Sequence, residues 1–528
     1  MAFIQFHSRT GAQITECAWH DPEIVALNLA DAAQWVWLDS STGDRFSYLC
    51  RDPIVSHQID DLGHDDAERR DRARPHWDGL AQELEDDPFP DLPSTLILPP
   101  FRGGFVVLLS YEAGGLFDAV PQSAPYQIGD QTLPPLIASL YSSVLAYDHE
   151  THRCFIIATG STPRTSPKTP EKTPQLERAE RAAGEIDQWR VIIDHLSSTA
   201  HQPMRSDEQI NLPPLDDLSS DFSCQAFQAA VQKTIEYIHE GDIFQANLSQ
   251  EFSGRFSGDI SGLDLYRKLR HKSPAPFSVF AQFPSWTLIS ASPEQFLSIH
   301  QGVVQSRPIK GTAPRDPDPD RDAEIAHQLT LSAKDRAENI MIVDLLRNDL
   351  ARVCRDHSIE VSDLCALESH SNVHHLVSTI SGTLSSGRSA LDVIAASFPG
   401  GSITGAPKIR AMEIISEIEK RPRGPYCGSF GYIGFDGSTM LNILIRSIVK
   451  TGRHIKFAVG GGMTARSCPA QEYQETLDKA AHIADTLGVV LSASGRLEAT
   501  HFPLHSSSHS PSYRSSNSRT ETTKGVVG

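Results

Sequence analysis

The chain lacks the sequence features that direct a protein to a membrane, a metal–thiolate site or an oxidising compartment. No apolar run reaches the length that crosses a bilayer. The N-terminal residues show no basic stretch followed by an apolar one, so no signal peptide is expected. The eight cysteines are scattered without a C-x-x-C pair, which argues against a zinc site or a disulfide scaffold. These absences favour a reducing cytoplasm and no membrane partner.

A long basic run is also missing, and acidic residues dominate the charge. The formal net charge is −19 at pH 7. This excess disfavours a nucleic-acid partner, because phosphates require clustered Lys and Arg. An anionic substrate would then be held by a few local cations. The 528 residues, 39% hydrophobic and 21% charged, are enough for two or three domains or one large two-layer core.

Composition divides the chain into four regions. The predicted division is an N-terminal β-rich region at 1–158, a Pro/Thr-rich linker and helix at 159–220, a catalytic region at 221–490 and a tail at 491–528. The linker is assigned because its Pro-rich stretches do not form regular core elements. The tail is rich in Ser, His and Thr, and this composition predicts disorder.

Local patterns predict strands and helices within these regions. Two apolar segments, Phe101–Glu112 after a glycine turn and Val144–Asp148, are predicted strands. Residues 175–197, Phe222–Glu240 and Ser332–Cys354 are predicted helices. The predicted apolar stripes of the last two helices are Phe227, Val231, Ile235 and Ile238, and then Ile340, Val343, Leu346 and Leu350.

Lys310 is held in a stiff segment, residues 308–312, with the sequence Pro-Ile-Lys-Gly-Thr. The proline restricts the chain before Lys310, and Gly311 permits a close approach after it. A lysine amine attacks an electrophile only after losing its proton, which burial and a nearby cation promote. Lys310 is therefore a candidate nucleophile, with Glu294 as its acid or base. A surface lysine in a turn is the alternative.

Glu338 and Glu475 lie on two separate predicted helices, the second of which begins near Pro469, a residue suited to a first turn. Two carboxylates without a nearby His or Cys suit Mg²⁺ better than zinc. Spacing alone clearly favours solvated helix residues for both glutamates, and Glu475 could pair with Lys479 at i, i+4.

Residues 399–408 form a glycine-rich loop, Pro-Gly-Gly-Ser-Ile-Thr-Gly-Ala-Pro-Lys, before a predicted helix over Ile409–Glu419. A phosphate-binding loop, G-x-x-x-x-G-K-[ST], requires Lys directly after the second Gly, whereas Ala406 follows Gly405 here. A nucleotide site is therefore rejected. The backbone N–H groups of such a turn can still bind another anion.

Arg446 lies among apolar residues in a strand-like segment. A guanidinium can grip a carboxylate with two parallel hydrogen bonds, but a buried structural arginine remains an open alternative. His375 follows His374, and adjacent strand residues face opposite sides, so the two are not expected to bind one metal. His375 shares a side with Val373 and Val377 and is predicted to point inward.

From residues 241–245 (Gly-Asp-Ile-Phe-Gln) through 475–479 (Glu-Thr-Leu-Asp-Lys), the chain resembles the chorismate-utilising enzymes. This family includes anthranilate synthase component I, isochorismate synthase and aminodeoxychorismate synthase component I. The resemblance implies an α/β (α+β) fold in which two large antiparallel β-sheets pack together with helices outside. The lysine of Pro-Ile-Lys-Gly-Thr points to the aminodeoxychorismate synthases, because anthranilate synthases usually carry Ala there.

The resemblance also implies roles for individual residues. The catalytic residues would be Lys310 as the covalent nucleophile, Glu294 as the acid, and His375 near the substrate ring. Glu338 and Glu475 would hold Mg²⁺ against the ring carboxylate of chorismate. The implied substrate contacts are Ser402, Gly405, Tyr426, Arg446, Gly462, Lys479 and Gln245. Isochorismate synthases carry a catalytic lysine at the position of Gln245, so this residue speaks against adding water to the ring.

The implied reaction converts chorismate and ammonia to 4-amino-4-deoxychorismate, on the route to 4-aminobenzoate and folate. None of the cysteines has the G-x-C-x-G context of a glutaminase nucleophile, so ammonia is expected from a separate glutamine amidotransferase subunit. The alternatives are an anthranilate synthase component I and a catalytically inactive subunit that only binds a partner or tryptophan.

A second ligand site is implied more weakly. Ser40, Arg45 and Phe46, together with Pro276 and Phe277, resemble the elements that form a tryptophan site in relatives. Ordinary strand packing explains the same residues equally well, so both interpretations stay open.

Overall fold

The computed structural model describes residues 4–42, 45–60, 75–77, 79–85, 87–93, 95–118, 120, 124–163, 173–198, 210–370, 373–491 and 497–498. The helices that lie without interruption in these residues are α1 (Pro22–Leu27), α2 (Pro174–Ser198), α3 (Cys224–Glu240), α4 (Gly262–Lys272), α5 (Pro319–Leu331), α6 (Ala333–Ala351), α7 (Ala390–Ser397), α8 (Lys408–Glu419) and α9 (Pro469–Leu487). Short 3₁₀ turns lie at Tyr111–Leu116 and Gly401–Ile403.

The strands fall into an earlier and a later group along the chain. The earlier strands are β1 (Gln5–His7), β2 (Gln13–Cys17), β3 (Trp35–Asp39), β4 (Phe46–Arg51), β5 (Val55–Ile59), β6 (Gly104–Leu109), β7 (Gln127–Ile128), β8 (Gln131–Thr132), β9 (Leu136–Tyr141), β10 (Ser143–Asp148) and β11 (Arg153–Ala158). The later strands are β12 (Leu215–Ser220), β13 (Gln245–Phe256), β14 (Phe277–Gln282), β15 (Thr287–Ser292), β16 (Gln295–His300), β17 (Val303–Arg307), β18 (Ile309–Pro314), β19 (Glu360–Ser369), β20 (Val373–Thr383), β21 (Gly405–Ala406), β22 (Ser429–Gly434), β23 (Thr439–Asn442), β24 (Ser447–Thr451), β25 (His454–Met463), β26 (Val490–Leu491) and β27 (Leu497–Glu498).

The described strands form two large sheets. The first has 13 strands in the order β1-β2-β11-β10-β4-β3-β14-β15-β24-β25-β13-β12, with β21 paired to β13. The second has 10 strands in the order β18-β20-β17-β16-β23-β22-β6-β9-β5, with β19 paired to β20. All of the strand pairs in both sheets are antiparallel.

The two sheets pack face to face with helices on their outer faces. Alternate residues of one strand divide between the layers, as the period of a strand requires. Val106 and Leu108 of β6 join the cluster between the sheets, whereas Phe105 and Val107 join the cluster under α6 and α7. The outer face of the first sheet packs against α2, α3, α4 and α9. The predicted fold, two large antiparallel sheets packed together with helices outside, is confirmed.

Both sheets are built from strands of the N-terminal and the catalytic sequence regions. In the first sheet Trp37 of β3 lies opposite Phe280 of β14, and in the second Val107 of β6 lies opposite Gly431 of β22. The boundaries drawn at 159–220 remain a prediction about the sequence. One segment of that linker, Leu215–Ser220, forms a strand paired with β13.

Most predicted elements agree with the structure, and two predictions differ from it. The predicted strand Phe101–Glu112 is shorter, Gly104–Leu109, and a 3₁₀ turn follows it. Ile340 was expected in the apolar stripe of α6 but is 46% exposed. Asn339 takes the inward position instead, because its amide donates to the Leu376 carbonyl and accepts from the Ser378 hydroxyl.

The described helices include none that is both long enough and apolar enough to cross a membrane. The predicted disorder of the tail falls mainly outside the described residues. Of that tail only Leu491 and Leu497–Glu498 are described, and Leu497–Glu498 pairs with Val490–Leu491.

Candidate active site

Lys310 and Glu294 meet at the glycine-rich loop. Lys310 lies on β18, and its Nζ donates a hydrogen bond of 2.8 Å to the backbone carbonyl of Ser402. Glu294, in the turn between β15 and β16, is 6% exposed and lies near Ser402 and the Ile309 amide, and both of these groups act to lower the pKa of its carboxyl. Burial raises the pKa of Glu294, and the positive charge of Lys310 acts against this rise. A protonated Glu294 can therefore act as an acid beside the amine.

Gly311 allows the strand of Lys310 to approach α6. Its φ is +88°, and a Cβ built on it would lie 3.1 Å from the Cβ of Asp335. A larger residue would be strained and would push β18 away from the helix. The Lys-Gly pair in the sequence thus fixes how close the amine comes to the carboxylates of α6.

Glu338 and Glu475 lie near consecutive glycines of β25. A Cβ on Gly462 would be 3.5 Å from Oε2 of Glu338, and one on Gly461 would be 3.5 Å from Oε1 of Glu475. Burial raises the pKa of Glu338, against the charges of Lys310 and of a second lysine, Lys334. Burial would also raise the pKa of Glu475, but the charge and hydrogen bond of Lys479 lower it overall.

The residues present fit a Mg²⁺ ion in their donor chemistry. Oε1 of Glu338 is buried and has no hydrogen-bond partner among the described residues. Glu475 is paired with Lys479 at 2.7 Å and would exchange this partner for the ion. In the described part of the chain no three His, Cys, Asp or Glu side chains are grouped to hold a metal by themselves. Mg²⁺ commonly takes one or two carboxylates and completes its shell with water and substrate oxygens.

The glycine-rich loop is fixed against β13. Gly405 pairs with Ala246, and a Cβ on Gly405 would lie 2.2 Å from the carbonyl oxygen of Gln245. Gln245 is itself buried, and its Nε2 lies 2.3 Å from the position of a Cβ on Gly462. The predicted substrate contacts Ser402, Gly405, Gln245 and Gly462 therefore belong to one region of the structure.

Arg446 does not lie within a strand, contrary to the sequence interpretation. It precedes β24 with a φ of +50°, and its backbone carbonyl accepts from the Ala291 amide. Its guanidinium forms no ion pair or hydrogen bond with another residue of the described chain. Burial lowers the pKa of Arg446, and no carboxylate offsets this effect. An unpaired, largely buried guanidinium is suited to a carboxylate ligand.

His375 points inward, as predicted. Its Nδ1 lies 2.9 Å from the hydroxyl of Thr312, two residues after Lys310. Burial and then the charge of Arg446 lower the pKa of His375 to about 4, so the ring is neutral at pH 7. His374 instead bonds Ser369 and Asp322, so the adjacent histidines serve different partners.

Tyr426 and Lys479 complete the predicted substrate contacts. Tyr426 is buried, and burial raises its pKa well above the usual range, so the phenol stays neutral. Lys479 is about half exposed, and besides its pair with Glu475 it donates a 2.9 Å hydrogen bond to the Gly460 carbonyl. Lys479 is thus hydrogen-bonded to β25, beside Glu475 of the proposed Mg²⁺ site.

Comparison with known proteins decides the family. The sequence pattern of the chorismate binding enzymes matches residues 34–485. This chain belongs to the chorismate binding enzymes. Aminodeoxychorismate synthase component 1 of Escherichia coli (strain K12) is 38% identical over 388 residues, which cover 74% of this chain and 78% of that relative. Anthranilate synthase component 1 1 of Haloarcula marismortui is 38% identical over 380 residues, 72% of this chain and 75% of that protein.

A solved structure supports the same conclusion about the fold. Anthranilate synthase component I of Streptococcus pneumoniae superposes with a TM-score of 0.68 at 28% sequence identity, over 83% of this chain and 92% of that one. Membership of the chorismate binding enzymes is therefore supported by sequence and by fold. The roles of the individual residues remain predictions.

In this chorismate binding enzyme, the elements of the predicted tryptophan site come together at one end of three neighbouring strands. Ser40 follows β3, Phe46 begins β4, and Pro276 and Phe277 lie at the start of β14. Arg45 pairs with Asp148 at 3.0 Å and with Glu150 at 3.1 Å, so its charge is already balanced. The binding of tryptophan remains a prediction.

Two features of the site were not predicted from the sequence. Glu472 is buried on α9 one turn before Glu475, and its Oε2 would lie 3.8 Å from a Cβ on Gly461. The i, i+3 spacing of these glutamates was the available signal. Arg423 is 1% exposed and pairs with Glu419, and it donates to the carbonyls of Ile403 and Asn247. The spacing of Glu419 and Arg423, four residues apart, was the available local signal, because the other partners of Arg423 are distant in sequence.

Proposed function

We propose that this chorismate binding enzyme is the component that aminates chorismate, forming 4-amino-4-deoxychorismate from chorismate and ammonia. The observation that carries the proposal is the placement of the Lys310 amine at the Ser402 carbonyl, close enough to buried Glu294 for its charge to affect the pKa of that carboxyl. A candidate nucleophile and a candidate acid thus lie beside the same residue of the glycine-rich loop. The E. coli relative named aminodeoxychorismate synthase component 1 supports the same reaction.

In the proposed first step, the neutral Lys310 amine attacks C2 of the chorismate ring. The C2–N bond forms, the two ring double bonds shift, and the bond from C4 to its hydroxyl breaks. Glu294 donates its proton to the departing oxygen, which leaves as water. The raised pKa of Glu294 favours the protonated form that this step requires.

In the second step, ammonia attacks C4, the double bonds return, and the C2–N bond breaks to release Lys310. The enolpyruvyl group stays on the ring throughout. The overall reaction exchanges one hydroxyl group for one amino group and releases one water. Covalent catalysis thus replaces one displacement of a poor leaving group by two easier steps.

The remaining residues would hold the two carboxylates of the substrate. The unpaired guanidinium of Arg446 would bind the enolpyruvyl carboxylate, with Tyr426 and Gly462 beside it. Glu338 and Glu475 would hold Mg²⁺, which when bound would neutralise the ring carboxylate. Neutral His375, fixed by Thr312, would lie near the ring.

The proposed ammonia source is a separate glutamine amidotransferase subunit. Relatives of this chain are named as component 1 of their synthases, which supports a second component. The proposed pathway is the formation of 4-aminobenzoate and folate, and the proposed location is the cytoplasm.

Anthranilate synthesis is the second candidate function, because a protein named for it is also 38% identical to this chain. The test is to incubate the purified chain with chorismate, Mg²⁺ and an ammonium salt, and to identify the products by mass spectrometry. We expect 4-amino-4-deoxychorismate without pyruvate. Anthranilate and pyruvate in equal amounts would instead establish the second function. No turnover at high ammonium would support an inactive binding subunit.

A further inference from the structure

Asn247 is a buried polar residue with an acceptor that the described chain does not satisfy. It lies on β13, is 7% exposed, and its Oδ1 has no hydrogen-bond partner among the described residues. Buried amide oxygens are nearly always paired, because an unpaired one has lost its hydrogen bonds to water. The unpaired oxygen indicates a ligand that donates hydrogen bonds.

The strand register places this oxygen at the candidate active site. Asn247 lies directly opposite Gly462 of β25, so the two residues face the same side of the sheet. Gln245 lies two residues earlier and faces that side as well. Oε1 of Gln245 is a second buried oxygen without a partner among the described residues. Glu338 approaches the same face, since a Cβ on Gly462 would lie 3.5 Å from its Oε2.

The backbone of Asn247 is locked to the loop that contacts Lys310. Its amide donates to the Thr404 carbonyl at 2.8 Å, and its carbonyl accepts from Arg423 at 2.6 Å. Arg423 also donates to the Ile403 carbonyl at 3.1 Å, next to Ser402. Asn247 and the Lys310 contact are therefore parts of one rigid arrangement.

We propose that Oδ1 of Asn247, together with Oε1 of Gln245, holds the ammonia that attacks C4. This inference rests on the proposed amination of chorismate. Ammonia attacks through its lone pair, so the groups that hold it must accept its N–H hydrogens and leave the lone pair free. Amide oxygens do this, and being uncharged they do not favour ammonium over ammonia as a carboxylate would.

The step balances as a displacement. The lone pair of ammonia forms the C4–N bond while the electrons of the C2–N bond return to Lys310. The new ammonium group on C4 then loses one proton to the carboxylate of Glu294, which gave its own proton to the departing oxygen in the first step. Asn247 and Gln245 accept hydrogen bonds throughout and undergo no covalent change.

The test is to measure how the rate of the Asn247→Leu variant depends on the ammonia concentration. Leucine is similar in size to asparagine but lacks the side-chain oxygen that would accept a hydrogen bond. At saturating chorismate and Mg²⁺ and a fixed pH, ammonium chloride is varied and the KM for ammonia is measured. We expect this KM to rise about tenfold, while the KM for chorismate changes by less than about twofold. In ammonia-free chorismate, Asn247→Leu should still form the Lys310 adduct, because that step precedes ammonia.

Asn247→Gln is the matched control, since it keeps an uncharged amide oxygen as acceptor and should keep a KM for ammonia below that of Asn247→Leu. An unchanged KM for ammonia in Asn247→Leu would overturn the inference. So would an equal rise in both KM values with loss of the adduct, which would show a general distortion of the site. If Asn247→Leu does not fold, Asn247→Ala serves in the same measurements.

The wild-type protein separates this inference from the function on which it rests. Wild type that forms no 4-amino-4-deoxychorismate would refute the proposed function. If wild type forms this product and Asn247→Leu has the same KM for ammonia as wild type, only the assignment of the ammonia site is refuted.

Discussion

The Nζ of Lys310 donates a hydrogen bond of 2.8 Å to the backbone carbonyl of Ser402. Ser402 and the charge of Lys310 both act to lower the pKa of buried Glu294, so the proposed nucleophile and the proposed acid lie beside the same residue of the glycine-rich loop. The position of the loop therefore controls both groups at once, and four substitutions test how the site depends on this arrangement.

Lys310→Ala should abolish the covalent intermediate. Wild type incubated with chorismate and Mg²⁺ without ammonia should gain the mass of chorismate less one water, because Lys310 displaces the C4 hydroxyl. Intact-mass spectrometry measures the gain. Lys233→Ala is the control, because Lys233 is 48% exposed and pairs with surface Glu417. An undiminished adduct in Lys310→Ala would show that another residue is the nucleophile.

Glu338→Gln should weaken Mg²⁺ binding, because it removes a charged oxygen ligand from the proposed metal pair. We expect the Mg²⁺ concentration for half-maximal activity to rise at least about tenfold. The increase in melting temperature caused by Mg²⁺ should shrink as well, which gives a readout independent of turnover. Glu417→Gln, at a surface position, should behave as wild type. Coinciding Mg²⁺ titrations for Glu338→Gln and wild type would exclude Glu338 as a ligand.

His375→Gln should reduce the loss of stability in acid. Burial, then the charges of Arg446 and His370, lower the pKa of His375 from 6.5 to about 4. Between these values the unfolded chain binds more protons than the folded one, so stability is fully present above pH 6.5 and falls toward pH 4. The shift corresponds to about 3 kcal/mol at most.

The measurement is the difference in unfolding free energy between pH 7 and pH 4.5, which should be smaller in His375→Gln than in wild type. His239→Gln, at an exposed position of α3, is the control and should keep the wild-type difference. If His375→Gln and wild type lose the same unfolding free energy between pH 7 and pH 4.5, the pKa of His375 is not lowered in the folded protein.

Arg423→Ala should destabilise the protein severely. Arg423 and Glu419 are each 1% exposed at the side chain, and removing the arginine leaves a buried carboxylate without its main partner. The expected loss is about 3–5 kcal/mol of unfolding free energy, measured by chemical denaturation. Arg388→Ala breaks an exposed i, i+4 pair with Asp392 and should cost less than about 1 kcal/mol. Equal losses in the two variants would contradict a structural role for the buried pair.

Local sequence patterns predicted much of the site because they are readable over a few residues. The helix that begins at Pro469 and the helix that follows the glycine-rich loop lie where they were predicted, whereas the roles of the site residues stay predictions. Each of these features depends on backbone restrictions of proline and glycine or on the first turn of a helix. The resemblance to a known family then gave these segments a common substrate.

The sequence by itself determined which segments form strands and helices, because the apolar period and the turn residues are local properties. Only the tertiary structure decided which groups meet. The carbonyl of Asn247 accepts a hydrogen bond from Arg423, 176 residues away, and Asn339 takes the inward position on α6 while Ile340 is exposed. Among the residues that the structure describes, Arg446 has no carboxylate partner. The reason is physical: a period shows which face of an element is buried, but contacts between distant elements decide whether a buried polar atom finds a partner or remains available to a ligand.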